Sequence, residues 1–101
     1  MNESSTTILR IEHHVPDFSA WKAAFDSDPM DRARAGVIRH RVLRAIEDEN
    51  QVMIDLEFAT SAQAKAMLGG LRQLWSRVAG TLIEEPSARI VSVADAAEYA
   101  P

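Results

Sequence analysis

The sequence predicts an α+β fold whose elements follow the order strand, helix, strand, strand, helix, strand. Two observations carry this prediction: four segments alternate apolar and polar residues with the period of a strand, and two segments repeat apolar residues at helical spacing. Composition agrees, since 47% of the 101 residues are hydrophobic and 26% are charged, the balance of an ordinary globular protein. We therefore expect residues 1–101 to form one domain with a folded core.

The first strand is predicted at residues 7–14, and Pro16 ends it. Alternation divides this segment into two faces. One face carries Leu9, Ile11 and His13, and the other carries Ile8, Arg10, Glu12 and His14. The more apolar face, with His13 on it, is the one we expect beneath the helices.

The first helix is predicted to follow Asp17, whose side-chain oxygen can accept a hydrogen bond from the free amides of the first turn. Pro29 limits this helix, and a short second turn is expected at residues 31–35. An apolar stripe at helical spacing consists of Phe18, Trp21 and Phe25.

Strands two and three are predicted at residues 37–46 and 52–58, joined by a solvated acidic turn at residues 47–50. In strand two, one face carries Ile38, His40 and Val42. In strand three, the apolar face is uninterrupted and consists of Val52, Ile54, Leu56 and Phe58. Matching these two faces fixes the register of the hairpin.

That register places Arg39 opposite Glu57 and Arg41 opposite Asp55, on the face away from the helices. Asp55 and Glu57 alternate as an acid and base pair would, but a carboxylate beside a guanidinium stays ionised. We therefore predict a ladder of structural ion pairs.

The second main helix begins with a capping box formed by Thr60 and Gln63. Its buried stripe consists of Ala64, Leu68, Leu71, Trp75 and Val78. Gly69 and Gly70 interrupt it, and because two glycines cost about 2 kcal/mol relative to alanine, we expect a kink or two shorter helices there. A last strand is predicted at residues 88–94.

This order of elements predicts a ferredoxin-like, four-stranded antiparallel sheet with both helices on one face. The other face, called here the bare face, must meet water or a second subunit. We expect it to bury its apolar residues in a twofold homodimer. It is predicted to carry Ile8, Val37, Leu43 and Met53 among Arg10, Glu12, Arg39, Arg41, Asp55 and Glu57.

Composition also narrows the functional classes. The chain has no cysteine, which excludes disulfides and thiolate metal sites and favours a cytoplasmic location. It has neither a secretory signal pattern nor a run of about 20 apolar residues, so we expect no membrane insertion. A net charge of −4 makes nucleic acid an unfavourable partner.

A pattern of core and turn residues spans most of the chain: Val15, Asp17, Phe18, Trp21, Lys22, Phe25 and Asp26, then Arg34 and Gly36, then residues 40–44 and 50–58. This pattern resembles the dimeric α+β barrel superfamily, in particular the antibiotic biosynthesis monooxygenase-like proteins. The resemblance implies a homodimer of face-to-face sheets, with a small-molecule cleft between sheet and helices in each subunit. Some members oxidise aromatic polyketides without metal or flavin, and others degrade haem with a histidine in the second helix. Residues 60–78 contain no histidine, so we expect no haem and no other cofactor.

His40 is the candidate catalytic residue, because Ile38 and Val42 on its face predict an apolar setting that would suit a general base. A core histidine bonded to a backbone carbonyl would show the same pattern. His13 is a candidate substrate contact. Strands one and two run parallel, which places His13 and His40 toward opposite ends of the sheet and argues against a shared metal.

Trp21, Phe25 and Trp75 are the other candidate substrate contacts, because aromatic side chains line most clefts for small apolar or aromatic ligands. The same spacing is also typical of plain core. Two functions therefore remain open. One is a ligand-binding protein or enzyme, which predicts a cavity between sheet and helices, and the other is a non-catalytic dimer module, which predicts a dry core.

Overall fold

In the computed structural model, which describes residues 6–100, helices and strands follow the predicted order. They are β1 (Thr7–His14), α1 (Phe18–Asp26), α2 (Arg32–Ala35), β2 (Arg39–Arg44), β3 (Gln51–Phe58), α3 (Ser61–Val78) and β4 (Glu84–Ser92). The strands form one sheet in the order β2-β3-β1-β4, and each neighbouring pair is antiparallel. The ferredoxin-like prediction is confirmed. No helix in residues 6–100 is long and apolar enough to cross a membrane.

The core lies between α1, α3 and the helix-facing side of the two central strands. Val52, Ile54, Leu56 and Phe58 of β3 are all buried, as their alternation predicted. Leu9 and Ile11 of β1 pack beside them, and α3 contributes Ala64, Met67 and Leu68. Both predicted caps are present, with Asp17 accepting from the Ala20 amide and a complete capping box between Thr60 and Gln63.

The hairpin of β2 and β3 has the predicted register. Arg39 pairs with Glu57 and Arg41 with Asp55, and side-chain ion pairs join both couples. A further partner is Arg10, whose Nε and Nη2 donate to the two Asp55 oxygens at 2.9 Å each. The hydrogen bond from Arg10 is the largest cause that lowers the pKa of Asp55, so this carboxylate, 9% exposed, stays charged.

The chain ahead of β2 departs from the predicted alternation. Val37 packs against the core, whereas Ile38 is 54% exposed, so Val37 does not belong to the bare face. The cause is the end of α2, where Gly36 adopts a left-handed conformation (φ 104°) and the Val37 amide donates to the Arg32 carbonyl. Strand alternation begins only at Arg39, two residues later than predicted.

Helix α3 runs without a break through Gly69 and Gly70, so the predicted division into two shorter helices is wrong. A side chain at Gly70 would collide with the Met30 methyl group, whereas a side chain at Gly69 would meet open space. Gly70 thus lets the end of the Met30 side chain lie close against the helix.

Strand β4 begins at Glu84, four residues earlier than predicted, and includes Pro86. An edge strand tolerates a proline because one side of its backbone needs no partner. Glu12 of β1 pairs with Ser87 of β4, and His14 pairs with Glu84. Between these two pairs, Glu85 and Pro86 of β4 lie opposite the single residue His13. Glu85 is left-handed (φ 54°), and the arrangement is a β-bulge beside the one buried histidine of the described chain.

Candidate functional site

A cavity of about 170 Å³ lies between the sheet, α1 and α3. Its walls come from every layer of the fold, and they are mostly apolar. They consist of Ile11, His13, Trp21, Ala24, Phe25, Ser27, Pro29, Met30, Arg32, Ile54, Leu56, Met67, Leu71, Leu74, Trp75, Val78, Leu82 and Ile83. Four of the five predicted site residues, His13, Trp21, Phe25 and Trp75, are in this wall, and His40 is not.

A chain of aromatic contacts runs along one side of the cavity. The ring of His13 meets Trp21 edge-on at 5.4 Å between centroids, and Trp21 stacks on Phe25 at 5.1 Å. Phe25 in turn meets His40 edge-on at 5.2 Å. These separations lie in the favourable range for aromatic pairs. Trp21 and Phe25 therefore hold the wall in place while each keeps part of its surface toward the cavity.

His13 is the polar group deepest in the wall. It is 3% exposed, and its Nδ1 is the one buried side-chain nitrogen or oxygen in residues 6–100 with no hydrogen-bond partner. Burial lowers the pKa of His13 to about 4, so the ring is neutral near neutral pH. A neutral imidazole has one nitrogen that donates a hydrogen bond and one that accepts a hydrogen bond, so it can bond either a donor or an acceptor of a ligand.

His40 occupies a different environment from the one the sequence predicted. It is exposed, because β2 is an edge strand of the sheet, and its ring makes an edge-to-face contact with Phe25. It borders a second, open depression together with Arg39, Arg41 and residues 96–98. As predicted, the two histidines lie apart. His40 pairs with Leu56 and His13 pairs with Val52, and these two partners are four residues, or about 13 Å, apart along β3.

Arg32 was not among the predicted site residues. It is the one charged residue in the described cavity wall, and its side chain is 17% exposed. Its Nη1 donates to the Phe25 carbonyl at 2.9 Å, and its guanidinium lies 3.9 Å from the centre of the Phe25 ring. The sequence marks residues 31–35 only as a helical turn, so nothing in it indicates that Arg32 folds back over α1.

Comparison with solved structures identifies the fold. SnoaB, a cofactor-independent oxygenase from Streptomyces nogalater, aligns with a TM-score of 0.69 at 14% identity over 91% of this chain and 95% of its own. A putative antibiotic biosynthesis monooxygenase from Nitrosomonas europaea gives 0.68 at 15% identity over 88% and 90%. This chain shares their fold. A dimeric ferredoxin-like protein from an uncultured marine organism gives 0.70 at 7% identity over 97% and 96%.

The resemblance predicted from the sequence is thus confirmed at the level of the fold, which this chain shares with the putative antibiotic biosynthesis monooxygenase and with SnoaB. No protein-family model matches the sequence, and no curated protein matches it.

Proposed function

We propose that this protein binds a small apolar ligand, of the size of a single substituted ring, in the cavity between sheet and helices. The observation that carries the proposal is the cavity itself, with the ring of His13 in its apolar wall. Buried polar groups in proteins are normally hydrogen-bonded, and the His13 side chain is buried with an unpartnered Nδ1, so a ligand in the cavity can supply a polar partner for this ring.

The size of the cavity sets the size of the ligand. An engineered apolar cavity of about 150 Å³ holds benzene, so about 170 Å³ suits one ring with a short substituent. We propose Trp21, Phe25 and Trp75 as the apolar wall and His13 as the polar contact. A non-catalytic module with a dry core is less consistent with this void.

The type of reaction is the second part of the proposal. SnoaB is a cofactor-independent oxygenase, and its similar fold favours an enzyme of that general kind here. Such an enzyme would need no metal or flavin. His40 as the catalytic base remains a prediction. Because Phe25 separates His40 from the cavity, such a role requires the ligand to extend past that ring.

Binding is tested by titrating ethylbenzene into the ¹⁵N-labelled protein. We expect shifts confined to amides around the cavity. Leu74→Trp, which fills the cavity from α3, should abolish them, and Gln73→Trp, one residue away and exposed, should not. The absence of shifts in the unaltered protein would contradict the proposal.

We further propose a homodimer in which the bare faces of two subunits pack together. We also propose a cytoplasmic location, because the chain has no cysteine. Support comes from the marine ferredoxin-like protein, which is dimeric, and from a sheet face that no helix covers. Ile8 and Met53 are half-buried there, on opposite sides of the row of ion pairs that Arg10 and Arg41 form with Asp55.

A further inference from the structure

We propose that the cavity takes a monocarboxylate, with the apolar ring inside and the carboxylate at the rim against Arg32. The inference rests on the proposed ligand-binding function and adds the chemical class of the ligand. It starts from an asymmetry of the wall: among the described residues that line the cavity there is one permanent cation and no carboxylate.

The position of Arg32 is well defined. One guanidinium nitrogen is bonded to the Phe25 carbonyl, and the plane of the group lies over the Phe25 ring. These contacts hold the side chain at the cavity instead of in solvent, where Arg34 of the same short helix lies with 88% of its side chain exposed. Holding an arginine in place before binding lowers the entropy lost when it grips an anion.

Arg32 also keeps donors for a ligand. A guanidinium carries five N–H groups, and within residues 6–100 the Phe25 carbonyl is the one acceptor bonded to them. The nearest carboxylate, Asp28, forms an ion pair with Arg32, with 3.5 Å between Oδ1 and Nη1 and no hydrogen bond between the two side chains. Asp28 also accepts from the Arg32 backbone amide at 2.9 Å, and it lies outside the cavity wall. Both contacts of the guanidinium use Nη1, so Nε and Nη2, which have no acceptor in residues 6–100, are available for a carboxylate whose two oxygens match their geometry.

The charge of the wall selects among ligands. A cationic ligand would meet Arg32 in a wall that has no acidic side chain of its own, and a dianionic phosphate would need more than one cation. A single negative charge fits, and only at the rim, because the surroundings of His13 are dry enough to keep even an imidazole neutral. The ring therefore points inward, where His13 can bond a hydroxyl or carbonyl substituent.

The test compares two probes of nearly equal shape, 4-ethylbenzoate and 4-ethylbenzamide, by NMR titration at pH 7 alongside ethylbenzene. We expect the benzoate to bind at least about tenfold more tightly than the amide, the lower end of what a charge-assisted pair provides. Arg32→Gln should bring benzoate affinity down to that of the amide and leave ethylbenzene binding unchanged. Arg34→Gln, two residues away and exposed, should leave all three affinities unchanged.

Each outcome decides the matter. If benzoate and amide bind equally while ethylbenzene still binds, the carboxylate class is overturned and the cavity proposal stands. If none of the three probes binds, the cavity proposal itself has failed. Should Arg32→Gln not fold, Arg32→Lys keeps the charge without the fork, and benzoate affinity that is unchanged in Arg32→Lys would refute bidentate recognition.

Discussion

At the scale of single residues, the structure buries His13 and leaves His40 exposed, although the sequence predicts an apolar setting for His40. Both stand on the helix-facing side of an alternating strand. His13, on a central strand, has sheet on both sides and contacts Trp21, whereas His40 lies on an edge strand, contacts Phe25 and is exposed. Burial follows from position in the sheet, which alternation along one strand does not report.

The low pKa of His13 predicts a stability that depends on pH. The folded protein disfavours the charged ring, so below the ordinary pKa of 6.5 the unfolded chain binds the proton more readily. The contribution of His13 is fully present above about pH 6.5, falls as the pH drops toward 4, and amounts to about 2–3 kcal/mol across this window. Urea unfolding at pH 7.0 and pH 4.5 measures it.

His13→Leu, which cannot titrate, is the matching variant, and it should lose much less stability than the natural protein between these two pH values. Asp55 does not confuse the comparison. Its pKa is lowered, so its contribution is lost only as the pH falls below the ordinary value of 3.8. Equal losses in both proteins would show that His13 is not the group responsible.

At the scale of elements, α3 shows how tertiary contacts override intrinsic propensity. Two adjacent glycines weaken a helix, yet α3 is continuous because its capping box fixes the start and Ala64, Met67 and Leu68 are buried against the sheet. Helical stability in a folded protein comes mainly from such an apolar face.

The two glycines should respond differently to alanine. Gly69→Ala adds a methyl group into open space and should stabilise the protein by about 1 kcal/mol, the difference in helix propensity. Gly70→Ala should gain less, because its methyl group must displace the Met30 side chain at the cavity wall. Thermal or urea unfolding of the two variants checks the difference, and an equal gain at both positions would contradict the packing described for Gly70.

At the scale of the whole molecule, the uncovered sheet face has consequences for assembly. Its charges are largely paired within the chain, so the aliphatic groups between them are free to bury against a second copy at little electrostatic cost. A stable interface of this kind needs more than about 1,000 Å² of buried surface area.

Met53→Lys should therefore raise the dimer dissociation constant at least tenfold, because it replaces an apolar side chain of the bare face with a charge that must lose its hydration when the two faces associate. Ala66→Lys, exposed on α3, is the control and should leave it unchanged. Sedimentation at micromolar concentration measures both, and an unaltered protein that sediments at the 11.2 kDa mass of one chain would refute the dimer.

Local rules were sufficient for the order of the elements, the register of β2 and β3, both helix caps and the aromatic stripe of α1. In each, the deciding residues are neighbours in sequence or are brought opposite each other by one hairpin, as with Arg39 and Glu57. The start of β2 and the bulge in β4 could not be predicted in this way, because a left-handed turn and an irregular strand pairing produce no periodic pattern of apolar residues in the sequence.

Only the tertiary structure decided which of the candidate residues line one cavity. The cavity joins His13 of β1, Trp21 of α1 and Trp75 of α3, and it adds Arg32, which the sequence places in an unremarkable turn. Each of these side chains is separated from the others by loops whose course no local pattern records. The presence of a void depends on how side-chain volumes from the sheet, α1 and α3 fill one space, and that sum exists only once these elements are packed.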